Sequence, residues 1–454
     1  MKRESVKNLL LFIMVMLLFA FSYYRNLWGV VERKKFNDFD VYCESQVLGR
    51  VIRAEKEGIF SEGGLNGWVR DDSIMKDMTW EEMTYFQFDI YKKGLEIGPA
   101  HFIIYDSQLG GQAIIFALLD KISPFSKSLN LYLFWLINSF SMAILLTLFV
   151  SWVYKNYGFS ASLITFLLLL ISPWLTFFGK DLYLMLSSFY LPFIIMLYLQ
   201  YSEFKGKTKI SLRKLFLIST GLIFVKLFFS GFEFITSALV MFTIPLFHYM
   251  FLSKWKMKFF LKRFTSVALG AISGIIMYAV LFSYQLSTLK GSFLYGFKYM
   301  LYCFLKRTYG NSADFPEGFK ESLESNIIVV LKQYFHSKAI DIGMVGISFG
   351  VLFCIFIIFS LLSMAPENIT PTTYANRKRN IPLVFTTWIS VLGPFSWFII
   401  FKAHSFVHLD FDEIVWYMPY CLFGFALIGS VGSSLIKDIN IYFGNKDQVA
   451  TGSG

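Results

Sequence analysis

Residues 1–24 read MKRESVKNLLLFIMVMLLFAFSYY, a basic start and an apolar stretch, and the reading of that stretch decides the fold. A secretory signal peptide has the same outline but ends at a small-residue cleavage site. No such site follows; the chain runs on into Tyr23, Tyr24 and Arg25. The stretch is therefore expected to remain as a first membrane span near 8–27.

The composition agrees. Hydrophobic residues make up 56% of the chain and charged ones only 16%, which describes a polytopic membrane protein rather than a soluble globule. The apolar runs are long, so helices are expected and not a barrel. The expected fold is all-α and polytopic, with about ten transmembrane helices. They are placed near 8–27, 128–154, 159–178, 182–201, 213–230, 233–252, 264–286, 341–364, 382–401 and 413–435. A net charge of +11 would point to nucleic acid only if topology were ignored. The basic residues collect in short loops: Lys205 to Lys214, Lys254 to Arg263, and Arg377 to Arg379. With ten spans these loops share a side with both termini, and the positive-inside rule makes that side cytoplasmic. Arg25, Arg33, Lys34 and Lys35 fall on the other side, ahead of a long translocated segment where charges count for less.

The domain plan is then a single membrane domain. A first external loop at 28–127 carries amphipathic helices lying on the membrane surface. Spans two to seven occupy 128–286, a second large external loop 287–340, spans eight to ten 341–435, and a cytoplasmic tail 436–454. Neither an internal repeat nor a soluble domain boundary is visible.

Threaded this way, the polar residues that apolar helices do not need gather on the outer face. A helix beginning near Asp40 puts Glu44, Leu48, Val51 and Ile52 on one face, with a carboxylate at the head of an apolar stripe. Burial raises a carboxyl pKa and suits it to take a proton; the plainer alternative is that Asp40 caps the helix and Glu44 pairs with a cation. Tyr105 to Gln112 crowds polar groups around Gly110-Gly111, either for close backbone approach to a ligand or as a turn into an interfacial helix. Lys180 and Asp181 follow Ser172-Pro173-Trp174 and precede Tyr183, and a simple interfacial ion pair would account for both charges. Lys226 lies within a span, where an ionisable group faces a cavity or a partner, and Glu233 stands seven residues on as a candidate partner. Arg307 has the planar fork that clamps phosphate, or is a solvated loop charge. His404 and His408 sit at i, i+4 beside acids, a spacing that serves a metal or hydrogen-bond donation to phosphate; a third fixed ligand is missing, so a divalent metal stays open as a cofactor and no metal site is assigned. Of the four cysteines, Cys43 and Cys303 fall outside, and two free thiols are expected over a bridge.

The order of these pieces resembles the GT-C glycosyltransferase superfamily, and within it a bacterial group. The residues that carry the resemblance are Glu44-Ser45 with Val47-Leu48-Gly49-Arg50, Gly58-Ile59-Phe60-Ser61 with Gly63-Gly64-Leu65, Tyr105 with Ser107-Gln108, and His404-Ser405-Phe406 with His408 before Trp416-Tyr417. It covers about residues 8–430; Tyr42 and Lys180-Asp181 depart from the pattern, and Asp410 stands where a third histidine is expected. The resemblance implies inverting transfer of a sugar from a polyprenyl-phosphate donor to a cell-envelope glycan or lipid-linked acceptor, on the non-cytoplasmic face of the bacterial cytoplasmic membrane. It implies Asp40 or Glu44 as base, Lys180, Arg307, His404 and His408 on the donor phosphate, and Tyr105, Gln108, Tyr183 and Glu233 around the sugar or acceptor. Its partners would be the lipid donor, the acceptor and membrane lipids, with no nucleic acid. A polysaccharide polymerase and a lipid-linked sugar flippase or transporter are the rival readings. The missing repeat argues against a carrier, and the large loop directly after the first span argues against a polymerase.

Overall fold

In the computed structural model, which describes residues 2–95, 101–342, 345–368 and 370–451, the helix Lys127–Tyr157 serves as a ruler. It starts at Ser126, whose hydroxyl accepts from the Leu129 amide, and stops at Gly158, where φ is +93°. Trp135 lies near its start and Asn156 near its end. At ~1.5 Å per residue the stretch between them spans about 30 Å, the thickness of a bilayer's hydrocarbon core. The Asn156 carbonyl accepts from Arg379, and nearby Arg263 pairs with Glu203, so the basic loops meet at this far end. The Trp135 end holds the acids described below.

Among the described residues, six helices are long and apolar enough to cross a membrane: Val6–Arg25, Lys127–Tyr157, Ile235–Leu252, Met257–Lys290, Arg377–Ile400 and Tyr420–Tyr442. The chain is thus mostly helical and carries helices of membrane-spanning length and composition. The other expected stretches are helical in altered form. Residues 159–178 break into Phe159–Leu170 and Pro173–Phe178, because Ser172 caps the second piece and Pro173 opens it. The next helix begins only at Ser187, since the chain before it is wound around the Asp181 carboxylate. Leu212–Ser230 contains Arg213, Lys214 and Lys226.

Two expected boundaries are corrected. The stretch 341–364 becomes helical only at Phe349, after the antiparallel strands Lys338–Ile342 and Val345–Ser348; residues 343–344 lie outside the described residues. The last helix starts at Tyr420, not at 413, because Asp412–Tyr417 winds as a tight 3-10 turn. It runs on to Thr451, so most of the expected tail 436–454 is helix; residues 452–454 lie outside the described residues.

The first large loop holds three longer helices, Val41–Glu57, Trp80–Lys93 and Gly111–Ile122. It also holds an antiparallel pair, Asn66–Arg70 with His101–Tyr105, which the helical reading lacks; residues 96–100 lie outside the described residues. Gly49 lets the helix Val41–Glu57 lie directly on this pair, since a Cβ there would stand 2.1 Å from the Gly67 carbonyl oxygen. One residue on, the Arg50 guanidinium donates to the Ser61 carbonyl and hydroxyl. The Val-Leu-Gly-Arg and Gly-Ile-Phe-Ser stretches are therefore two halves of one structural clasp.

Candidate functional site: two carboxylate groups joined across the bundle end

Asp40 occupies the position ahead of Val41–Glu57 with φ at +55°, a left-handed backbone that few non-glycine residues adopt. Its carboxylate caps no amide. It turns to Asp181, with which it shares a hydrogen bond, and to the Cys43 thiol. Two carboxylates in contact do not both ionise. Burial, and then the Asp181 charge, hold the Asp40 pKa well above the usual range. Asp181 is fixed by the amides of Tyr183 at 2.6 Å and Leu184 at 2.9 Å.

Glu44, one turn later, is only 4% exposed. Its Oε1 accepts from the Leu182 amide at 2.9 Å, and the Trp135 indole donates to both oxygens at 3.1 and 3.2 Å. Burial and the Asp181 charge push its pKa up to about 8, against the pull of Lys180 and these donors. Lys180 is itself pushed down by burial, and its Nζ lies 4.0 Å from the centre of the Phe36 ring. Glu44 and Lys180 line a cavity of about 1330 Å³.

The second group is built on the turn between Leu212–Ser230 and Ile235–Leu252. Gly231 holds φ at +52°, and a Cβ there would stand 2.7 Å from the Gln108 Cβ. Lys226 Nζ donates to the carbonyls of Gly231 at 2.7 Å and Glu233 at 2.5 Å. The amine thus secures the turn's backbone and leaves the Glu233 carboxylate free to face elsewhere. Glu233 Oε1 lies 2.8 Å from Arg307 Nη1, and Oε2 lies 3.6 Å from His404 Nε2. His404 Nδ1 is 3.1 Å from Asp412 Oδ2, which also accepts from the Trp397 indole at 2.6 Å and the Ser405 hydroxyl at 3.1 Å. His408 packs on His404 with ring centres 4.3 Å apart. Burial, and next the neighbouring His404, push the His408 pKa down to about 4, so this ring is neutral near pH 7. Just before the histidines, Lys402 Nζ donates to the carbonyls of Leu323 and Ser325, and the Tyr309 hydroxyl donates to the Ile399 carbonyl. Those bonds dock the second large loop against the histidine segment.

Cys43 joins the two groups, lying within the fields of Asp40, Asp181 and Glu233. The Tyr183 hydroxyl donates to that of Tyr105 at 3.0 Å, and Tyr105 lies within the fields of Arg307 and Glu233. Phe411, between the histidines and Asp412, stacks on Phe39 with centres 6.2 Å apart. Segments far apart in sequence thus bring Asp40, Glu44, Tyr105, Tyr183, Glu233, Arg307, His404 and His408 to one end of the bundle. Gln108 adjoins the turn at Gly231, with both amide atoms buried and without a hydrogen-bond partner among the described residues. Lys180 is set apart: its cavity is lined by neither Arg307 nor the histidines.

Arg307 also lines a mostly apolar groove of about 460 Å³, walled by Ile235, Leu239, Ile275, Phe282, Met300 and Phe304. Both Cys43 and Cys303 are free thiols. Among the described residues, no three His, Cys, Asp or Glu side chains converge as a ligand set for a metal. Three partners escaped the sequence reading. Asp181 looked like the mate of Lys180, Asp412 like one acid among several, and Trp135 carried no local signal at all. No family model, curated protein or solved structure matches this chain.

Proposed function

We propose that the chain is an inverting membrane glycosyltransferase of the GT-C kind, which moves a sugar from a polyprenyl-phosphate donor to a cell-envelope glycan or lipid-linked acceptor. The observation that carries this reading is the position of Arg307. It lines an apolar groove and at the same time belongs to the polar cluster that adjoins the Asp40–Asp181–Glu44 acids. A lipid phosphate needs such a place: hydrocarbon walls for its tail and a cation for its head.

The chemistry follows from those contacts. A carboxylate of the Asp40–Asp181–Glu44 group takes the proton of the acceptor hydroxyl, whose oxygen attacks the anomeric carbon from the face opposite the phosphate. Burial makes these carboxylates better bases than they are in water. The leaving phosphate is already anionic and needs cations more than an acid. Arg307 gives one guanidinium nitrogen to Glu233 and keeps others for phosphate oxygens. His404 and the neutral ring of His408 supply further ring nitrogens, and Tyr105, Tyr183, Gln108 and Glu233 shape the space for sugar. Lys180 serves the Glu44 side of the centre in this reading.

The same proposal includes ten spans with both termini in the cytoplasm of a bacterium and the centre on the opposite face. The separation of about 30 Å between the Trp135 and Asn156 ends, with basic loops at the latter, supports it. The test is complementation of a gene deletion, read by mass spectrometry of the surface glycan. The Asp40→Asn/Glu44→Gln double variant should insert at normal levels and fail to restore the glycan. Full restoration would end the assignment.

A further inference from the structure

The end of the first helix borders two hollows at once. Arg25 and Leu27 line both the cavity that reaches Glu44 and an apolar groove of about 420 Å³ walled by Met14, Leu17, Leu18 and Phe21. Four cations, Arg25, Arg33, Lys92 and Lys180, stand around the cavity; Lys180 acts on the charges of Glu44 and Asp181, and Arg25, Arg33 and Lys92 make no ion pair among the described residues. The cavity's acids are occupied. Glu82 closes a capping box with Thr79, Asp89 pairs with Lys93 at 3.0 Å, and Glu44 takes the Leu182 amide and the Trp135 indole. The hollow therefore favours an anion at its rim, while the groove beside it favours hydrocarbon. Tyr132 and Trp135, with ring centres 5.8 Å apart, give the inner wall an aromatic face.

We propose that this pair of hollows holds the acceptor, and that the acceptor is a phosphate-linked lipid glycan. Its hydrocarbon lies along Met14 to Phe21, its phosphate meets Arg25 and Arg33, and its sugar fills the cavity with one hydroxyl toward Glu44. The inference rests on the transferase reading and selects one acceptor class within it. During transfer the acceptor oxygen bonds to the donor's anomeric carbon while that carbon's bond to the donor phosphate breaks. The phosphate leaves with the electron pair, and the hydroxyl proton passes to the acid group. A lipid-free glycan would occupy the cavity alone and leave the groove and both arginines without a role.

The full-length protein in phosphatidylcholine nanodiscs tests this without turnover. The probe is a diazirine-bearing geranylgeranyl diphosphate, with the matching alcohol as comparison, and crosslinks are mapped by mass spectrometry. Labelling is expected on Met14 to Phe21, and Arg25→Gln/Arg33→Gln should reduce it about ten-fold. Both arginines are exposed, so the double variant should keep the parent melting temperature. Its labelling beside Arg307, at Met300 to Phe304, should persist. Equal labelling of the first helix in parent and double variant, equal labelling by the alcohol, or labelling beside Arg307 alone would each overturn the proposal. Because the readout is binding, a failure here is separate from restored glycan in the Asp40→Asn/Glu44→Gln strain, which would remove the transferase reading itself.

Discussion

The cavity beside Glu44 and the groove beside Arg307 each adjoin one of the two carboxylate groups, yet they are made of opposite materials. The cavity is larger, rimmed by charges and lined by Glu44, whose pKa burial pushes up to about 8. The groove is smaller and mostly apolar, with one guanidinium in its lining. In the proposed reaction, two such spaces would bring a polar reactant and a lipid phosphate together from different sides. The difference also explains why the acids and Arg307 are not one ion pair. Glu233 neutralises the arginine, so Asp40 and Glu44 face the Asp181 charge without relief from that guanidinium.

The strongest way to break this contrast is to disable the acids. Asp40→Asn and Glu44→Gln together should lower transfer at least ~1000-fold, within the range of lost general-base catalysis. The single variants, assayed side by side, then show which carboxylate accepts the proton. Next comes Arg307→Gln, expected to cut transfer about 100-fold, and to cost about 3–5 kcal/mol of stability because Glu233 is left buried without its partner. Thermal unfolding of the purified variant measures the second effect. Arg307→Lys should recover part of both.

The pH dependence sharpens the cavity side. Folded Glu44 holds its proton until pH passes about 8, well above the ordinary carboxyl value. Transfer should therefore rise with pH through that region, and the rising limb should shift in Glu44→Asp. Stability should move the other way. A raised folded pKa favours the protonated native state, so the melting temperature should fall as pH climbs through about 8. The smallest effect belongs to the groove. Ala279→Trp narrows it away from the polar cluster and should raise KM for a long-chain donor about ten-fold. A short-chain donor should be affected far less.

Much of this centre was legible because it depends on residue type and side. Threading puts Asp40, Glu44, Glu233, Arg307, His404 and His408, polar residues at the ends of apolar runs, on one side, and they lie at one end of the bundle. What stayed hidden depends on contacts across the bundle. Asp181 lies beside Lys180 in sequence, yet its partner is Asp40, on a different element. Trp135 reads as one more aromatic residue of a span until the Glu44 carboxylate is seen against its indole. Lys226 was matched to the Glu233 side chain by spacing, whereas the sharp turn at Gly231 brings it to the backbone instead. The small strands were equally hidden, since Asn66–Arg70 pairs with a segment a surface helix away.

The docking of the second loop by Lys402 and Tyr309 has a practical result. Trypsin cutting after exposed Lys320 would sever the chain between two anchored stretches. The halves should co-elute as a nicked complex that denaturing electrophoresis alone separates, with Arg307 still seated beside the histidines. Split expression of the gene at that codon would then yield a working protein from two polypeptides, and a place to insert a reporter tag.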